Sequence, residues 1–159
     1  MAYVLHALID REERVHDQDS AESTVEALRA SPESTACLVV EDASEEELQG
    51  LTEAFDLHPL AVEDASHGHQ RPKLERYGQA LFLAAHPISY KDGSEKLVIA
   101  EVHAFIGPNY FVVTVPKGGA AELVMRQLRR AFKRTALEPH NPQTLLYFLL
   151  DGIVDGYEP

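Results

Sequence analysis

Two pairs of carboxylate side chains have the residue types and the spacing best suited to chemistry. Glu63 and Asp64 are adjacent, and Asp151 and Asp155 are four residues apart in a segment with helical periodicity. Residues four apart share one face of a helix, so the second pair of carboxylates lies close enough to repel. Mg²⁺ and other hard divalent cations prefer oxygen ligands and keep part of their hydration shell in proteins. The four acids therefore suit weak capture of Mg²⁺, a pattern that ordinary acidic surfaces also show.

Two histidines offer a different kind of metal chemistry. His67 and His69 are two residues apart, close in sequence to Glu63 and Asp64. Imidazole and carboxylate groups together are ligands for zinc and other transition metals. Histidines in loops are more often solvated than metal-bound, so a solvated pair is the favoured interpretation.

The sequence contains no recognisable catalytic signature. It lacks the Gly-x-Ser-x-Gly elbow, the P-loop, the Gly-x-Gly-x-x-Gly fingerprint and the His-Glu-x-x-His motif. The single cysteine, Cys37, lies within a short apolar run rich in β-branched residues, which predicts a buried side chain rather than a nucleophile. One cysteine also excludes an internal disulfide and is typical of a reducing compartment. We therefore predict that the chain is not an enzyme.

Charge and hydropathy exclude further classes. The formal net charge of −12 argues against a nucleic-acid partner, because phosphate binding requires a basic surface. The charge is segregated, with −14 over residues 1–66, +6 over residues 67–137 and −4 over residues 138–159. The longest apolar runs, residues 80–85 and 145–150, are far shorter than the roughly 20 residues of a membrane-spanning helix. No signal peptide is recognisable, so we predict a soluble, intracellular domain of 159 residues.

The elements that must position these residues follow from the periodicity of apolar side chains. The pattern predicts strands over residues 3–9, 35–40, 80–90, 96–106 and 110–115. It predicts helices over residues 21–30, 44–56, 59–64, 119–136 and from residue 142 onwards. Residues 65–72 read as a loop, and Asp92-Gly93 predicts a hairpin turn. This order predicts an α/β fold with a mixed central β-sheet and helices on both faces, an α/β/α sandwich.

The core and the last helix carry more specific predictions. Asn141 is the expected N-cap of the last helix, and Pro142 its first residue. The end of that helix has acids where the negative end of the helix dipole disfavours them, and it has no capping glycine with a basic last turn. We therefore expect this helix to project away from the domain and to continue in a longer natural chain. Apolar runs predict that five side chains are buried: Phe82, Ile99, Phe105, Val113 and Leu146.

Two stretches of the sequence resemble the CorA family of magnesium and cobalt transport proteins. Residues 58–64 read HPLAVED and residues 70–77 read QRPKLERY, as in the family pattern His-Pro-Leu-x-x-Glu-Asp followed by Gln-Arg-Pro-Lys-x-Glu-x-Tyr. Residues 145–157 read LLYFLLDGIVDGY and are similar to the start of the family's long stalk helix. Both stretches stand in the family's order and separation, so the resemblance covers essentially the whole chain, although the first 45 residues are not distinctive.

The resemblance implies an N-terminal cytoplasmic domain, with the α/β domain over residues 1–138 and the start of the stalk helix over residues 139–159. Family members are homopentamers with two C-terminal membrane helices and a Gly-Met-Asn signature at the pore mouth, and this sequence contains neither feature. The implied partners are neighbouring identical subunits. We expect a soluble fragment that belongs at the cytoplasmic face of the cell membrane and contacts the membrane only through the missing helices.

The resemblance also implies a regulatory metal site between subunits. Residue-by-residue matching points to Glu63 and Asp64, with Asp151 contributed from the stalk side and Asp155 as a further candidate. The implied ion is Mg²⁺ or Co²⁺, bound weakly, because a further stalk ligand of the family lies beyond residue 159. Within the same motif, Arg71 is expected to be held by a carboxylate or by backbone carbonyls and to fix the loop over residues 65–73.

Three interpretations remain open at the level of sequence. The leading one is the Mg²⁺-sensing regulatory domain of a CorA-like transporter of Mg²⁺ or Co²⁺. The second is the cytoplasmic domain of a zinc transporter of the same superfamily, which His67 and His69 favour slightly. The third is a free-standing metal-binding or adaptor module.

Overall fold

The computed structural model describes residues 4–90, 93–118, 120–133 and 141–157. Within these ranges it contains nine strands and five helices. In chain order they are β1 (Val4–Ile9), β2 (Val15–Asp17), α1 (Ala21–Ala30), β3 (Thr35–Glu41), α2 (Glu45–Phe55), α3 (Pro59–His67), β4 (Lys73–Tyr77), β5 (Ala80–Ala85), β6 (Ile88–Tyr90), β7 (Leu97–Ile99), β8 (Val102–Ile106), β9 (Tyr110–Val115), α4 (Ala120–Lys133) and α5 (Pro142–Asp155).

Seven of these strands form one mixed sheet in the order β2-β1-β3-β9-β8-β5-β4. The central pair, β3 and β9, is parallel, and every other neighbouring pair in this sheet is antiparallel. Both central strands are buried along almost their whole length, as their continuous apolar sequences predict. Because of these strand directions, the carboxyl ends of β3, β5 and β9 meet the amino ends of β4 and β8 at one edge of the sheet.

Helices cover both faces of the sheet. Residues of α4 and α5 pack with one face of the strands, including Val39, Ala104 and Val113. Residues of α1, α2 and α3 pack with the other face, including Leu38 and Phe105. The predicted α/β/α sandwich with a mixed sheet is confirmed. None of the described helices is both long and apolar enough to cross a membrane.

The hairpin between β5 and β8 differs from the prediction. The expected long strands break near Pro87, which has no N–H with which to continue the ladder, and β6 and β7 form a separate two-stranded sheet. Ile99 lies in β7 and is 63% exposed, so its predicted burial is wrong. Leu97, Val98 and Ile99 are all exposed, so no second layer formed by the described residues covers β7, which the sequence pattern does not reveal. The predicted Asp92-Gly93 turn begins at Asp92, outside the described residues.

The remaining core predictions are mostly confirmed. Phe82, Phe105 and Val113 are 1%, 3% and 0% exposed. Leu146 is only half-buried and packs at the edge of the core. The short strand β2 was not predicted from the sequence because its three residues show no apolar pattern.

The start of α5 agrees with the prediction, but the helix does not project away from the domain as predicted. The Asn141 side chain accepts a hydrogen bond from the Thr144 amide at 2.9 Å, with Pro142 in the first turn. However, Phe148, Leu149 and other residues of α5 are buried against α4 and the sheet. Over its described length, α5 is therefore part of the domain core and does not project away from it. The division of the chain near residue 138 stays a prediction.

Candidate functional site

Glu63 and Asp64 lie in the second half of α3, and the two carboxylates have different surroundings. The Glu63 side chain is exposed and has no hydrogen bond or ion pair with any described residue. Asp64 is half-buried and forms an ion pair with Lys73 Nζ at 2.5 Å, whereas the same ammonium lies 3.1 Å from Glu75. A cation at Asp64 would have to compete with Lys73, so Glu63 is the carboxylate that is available to a ligand.

The rest of the first motif holds α3 against β4. His58 accepts a hydrogen bond from the Leu60 amide at 3.2 Å, which caps α3, and its ring stacks on Tyr77 with centroids 4.0 Å apart. The Tyr77 hydroxyl donates to Glu75. The hydrogen bonds to Asp64 and Glu75 raise the pKa of Lys73, and those from Tyr77 and Lys73 lower the pKa of Glu75. Most of the polar side chains of the motif are therefore held by contacts within the domain, whereas the Glu63 carboxylate forms no hydrogen bond or ion pair with a described residue.

The carboxylates of α5 lie far from those of α3 in the fold. Asp151 is half-buried and Asp155 is exposed, and both belong to the helix layer on the opposite face of the sheet from α3. In the part of the chain that the structure describes, no group of three or more His, Cys, Asp or Glu residues is arranged to hold a metal ion. A site that combines Glu63 with Asp151 would therefore require two chains, and the four predicted ligands stay a prediction.

A second polar cluster, which the sequence did not predict, surrounds Glu101 at the sheet edge where the carboxyl ends of β3, β5 and β9 meet. The Glu101 carboxylate accepts hydrogen bonds from the His69 amide at 2.8 Å and the Gln70 amide at 3.1 Å. His103 Nε2 lies 2.8 Å from the same carboxylate. Glu101 thereby anchors the loop between α3 and β4 to the start of β8.

His86 adds a second connection between these loops. Its Nδ1 lies 3.1 Å from the Ala100 carbonyl oxygen, and its Nε2 is hydrogen-bonded to the Gln70 carbonyl oxygen. The His86 carbonyl in turn accepts a hydrogen bond from the Tyr157 hydroxyl at 3.0 Å, beyond the end of α5. His86 therefore connects the loop that follows α3 with the segment that follows α5.

The predicted role of Arg71 in fixing this loop is wrong. Its side chain is exposed and forms no hydrogen bond or ion pair with the residues that the structure describes. Glu101 and His86 hold this loop instead, and they lie 30 and 15 residues after Arg71 in the chain. No local pattern in the sequence indicates these two residues, because the contact depends on the register of β5 and β8.

A cavity of about 570 Å³ lies beside this cluster. His67, His69, His86 and His103 all line it, together with Glu101. Half of the eight histidines in the sequence therefore surround one cavity. His67 and His69 were predicted as a loop pair, but His67 is the last residue of α3, and its Nδ1 lies 2.9 Å from the Glu63 carbonyl oxygen.

Burial and hydrogen bonds together shift the pKa values of His103, Glu101 and Cys37. It lowers the pKa of His103 below the ordinary 6.5, although the hydrogen bond to Glu101 opposes the shift. Burial raises the pKa of Glu101, but hydrogen bonds from His69, Gln70 and His103 outweigh it and leave the pKa below the ordinary 4.5. Burial also raises the pKa of the Cys37 thiol, which agrees with a core side chain.

These shifts predict that acid weakens the fold. A group whose pKa is lower in the folded state than in the unfolded chain stabilises the fold at pH values above its unfolded pKa. This contribution to the free energy of unfolding is lost as the pH falls from the unfolded pKa through the folded pKa. For His103 this loss begins near pH 6.5, and for Glu101 below pH 4.5. We expect the free energy of unfolding, measured with urea, to fall between pH 7 and pH 5. The fall should be smaller in His103→Gln; equal pH slopes in variant and parent would contradict the assignment. Part of the remaining slope belongs to His6, whose pKa burial also lowers.

Comparison with known proteins identifies the family. Residues 34–159 match the family described as CorA-like Mg²⁺ transporter protein. The chain belongs to this family. Its curated relatives include the cobalt/magnesium transport protein CorA of Thermotoga maritima, with 29% identity over 111 residues. They also include the putative metal ion transporter YfjQ of Bacillus subtilis, with 31% identity over 109 residues. Each match covers 69% of this chain and 31% or 32% of the relative, so the chain spans about a third of the length of these CorA-like proteins.

Solved structures of low sequence identity share the fold. The soluble domain of CorA from Methanocaldococcus jannaschii has a TM-score of 0.64 at 15% identity, covering 99% of this chain and 58% of that one. The ZntB cytoplasmic domain from Vibrio parahaemolyticus has a TM-score of 0.67 at 10% identity, covering 98% and 59%. The full-length CmaX protein has a TM-score of 0.74 at 15% identity, covering 95% and 45%. The α/β fold of this chain is therefore that of the CorA soluble domain.

Proposed function

We propose that this chain is the cytoplasmic regulatory domain of a CorA-like divalent-cation transporter, and that it senses Mg²⁺. Membership of the CorA-like family supports the transporter, and the fold of the CorA soluble domain supports the placement outside the membrane. The observation that carries the sensing role is the exposed carboxylate of Glu63, which has no contact that the fold requires. A hard cation such as Mg²⁺ suits such a solvated oxygen ligand.

The sensing mechanism follows from charge. When identical subunits adjoin, Glu63 of one copy and Asp151 of the next bring like charges together across the contact. A Mg²⁺ ion between them cancels the repulsion and links the copies, with Asp64 and Asp155 as additional carboxylates nearby. The ion shifts the assembly only through its different affinity for the two arrangements. Binding of Mg²⁺ would then favour a closed ring, which the family resemblance suggests has five subunits at the cytoplasmic face of the membrane.

Self-association measured by sedimentation velocity tests this proposal. We expect millimolar Mg²⁺ to increase the sedimentation coefficient of the 159-residue chain. The Glu63→Gln and Asp151→Asn variants should each need about tenfold more Mg²⁺, because loss of a charged ligand is at least as costly as loss of a group that supports one. Glu95→Gln is the matched control, since Glu95 is an exposed acid near the β6–β7 hairpin. An unchanged Mg²⁺ dependence in both site variants would contradict the sensing role.

A zinc-transporting relative is the second candidate. The fold is shared with the ZntB cytoplasmic domain as well as with the CorA soluble domain, so the four histidines around one cavity are the observation that favours it. Zinc accepts imidazole ligands readily, whereas Mg²⁺ does not. Assembly driven by micromolar Zn²⁺ and lost in His67→Ala/His69→Ala, with Glu63→Gln unaffected, would favour this candidate over the first.

A further inference from the structure

A groove runs between α1 and α2 on one face of the sheet. It forms an open cavity of about 700 Å³, and Ala21, Val25, Val40, Leu51 and Ala54 supply its apolar lining. Gly50, at its side, has open space where a side chain would lie. Five exposed acids form the rim: Glu22, Glu26, Glu46, Glu47 and Glu53. Among the described residues that line the groove, Arg29 is the one permanent positive charge, so the rim is strongly acidic.

On the opposite face of the same domain, the exposed surface of α4 is basic, although the neighbouring helix α5 carries Asp151 and Asp155. The buried stripe of α4 includes Val124, Leu128 and Ala131. Its exposed positions hold one acid, Glu122, and four bases, Arg126, Arg129, Arg130 and Lys133. None of the four bases forms an ion pair with another residue in the described ranges. Part of the segregation of charge along the sequence therefore becomes a separation between the acidic groove and the basic surface of α4.

We propose that the acidic groove between α1 and α2 receives the basic face of α4 from a second copy of this chain. The two surfaces are complementary in charge and belong to the same chain, so a second copy supplies the partner without any other protein. Each surface lies on a different face of the sheet, which makes the contact heterologous: every copy offers one basic and one acidic surface. Contacts of this kind close into rings when the rotation between copies allows it. The proposal rests on the proposed function, which also requires identical copies to adjoin.

The energetics predict how this contact responds to salt. Single exposed ion pairs contribute little, but a set of four bases facing five acids attracts the partner over a distance of about 10 Å at 0.1 M salt. Complementary charges mainly speed encounter and fix which surfaces meet, and like charges placed opposite each other oppose binding. The association should therefore be weak, sensitive to salt and reversible by exchange of charge between the two surfaces.

Charge reversal provides the test, in EDTA and without added Mg²⁺. Sedimentation velocity of the parent chain at 50 and 500 mM NaCl should show association at low salt that is lost at high salt. Arg126→Glu/Arg130→Glu and Glu46→Arg/Glu53→Arg should each weaken the low-salt association at least tenfold, because each places like charges in contact. The chain with all four substitutions should associate again, since it restores both the complementarity and the net charge.

The control separates this contact from a general effect of charge. Arg11→Glu/Arg76→Glu changes the net charge by the same amount as the α4 variant, at exposed positions outside both surfaces. Circular dichroism checks that every variant is folded. A parent that stays monomeric at low salt, a four-fold variant that does not recover, or a control as weak as the α4 variant would each overturn the proposal. Binding of an added basic peptide to the groove without self-association would also overturn it, since the occupant would then be another protein.

The experiment distinguishes a failure of this contact from a failure of the proposed function. If Mg²⁺ drives assembly through Glu63 while the charge reversals have no effect, this contact is wrong and the sensing role stands. If the reversals behave as expected while Mg²⁺ has no effect, the contact stands and the sensing role is wrong.

Discussion

Replacing Val113 with aspartate should abolish the folded state. Val113 is fully buried in β9, paired with Val39 of β3 on one side and Ala104 of β8 on the other. A carboxylate at this position has no partner, and an unpaired buried charge costs several kcal/mol out of a total stability of about 5–15 kcal/mol. Urea unfolding followed by circular dichroism should show that Val113→Asp is largely unfolded without denaturant.

Ile99→Asp is the matched control for this prediction. It makes the same kind of change, from a β-branched apolar residue to aspartate, at a strand position that is 63% exposed. We expect a change in the free energy of unfolding within about 0.5 kcal/mol. A cooperative transition in Val113→Asp at the urea concentration of the parent, or an equal loss in both variants, would show that the strand placement is wrong.

Removing the Glu101 carboxylate should have the next largest effect. Its side chain is 11% exposed and accepts hydrogen bonds from two amides and one imidazole. Each hydrogen bond to a charged group contributes about 1.5–3 kcal/mol, and the two amides would be left without their acceptor. We expect Glu101→Ala to lower the free energy of unfolding by about 3 kcal/mol. Hydrogen exchange of the His69 and Gln70 amides should accelerate at the same time.

Glu95→Ala is the control for Glu101→Ala, because Glu95 is an exposed acid in the loop between β6 and β7. It should change neither the stability nor the exchange of the loop after α3. If Glu101→Ala leaves amide exchange at His69 and Gln70 unchanged, Glu101 does not anchor that loop.

Local patterns predicted most of the fold. The continuous apolar run of β9, the capping Asn141 and the helical periods of α1 and α2 each depend on neighbours in sequence, and all agree with the structure. Ile99 shows the limit of such reasoning. An apolar run predicts a strand, but whether a second layer covers it depends on elements far away in the chain.

The candidate site also contains some residues that the sequence predicts and others that it does not. The motif around Glu63 could be identified from the sequence because its members are close together in the chain. The network of Asp64, Lys73 and Glu75 could not, because it depends on how α3 packs beside β4. Glu101 and His86 were missed for the same reason, since register at one sheet edge brings them to the loop after α3. Arg71 was assigned their role because it was the nearest candidate in sequence.

Paramagnetic broadening by Mn²⁺ tests the sensing role of Glu63 most directly. Mn²⁺ is a hard cation that occupies carboxylate sites and broadens the amide resonances near it. The account predicts that substoichiometric Mn²⁺ broadens the amides of α3 around Glu63 and, in the assembled chain, those of α5 around Asp151. Excess Mg²⁺ should reverse the broadening, and Glu63→Gln should abolish it. Broadening that persists unchanged in Glu63→Gln, or that spares α3 altogether, would contradict the account.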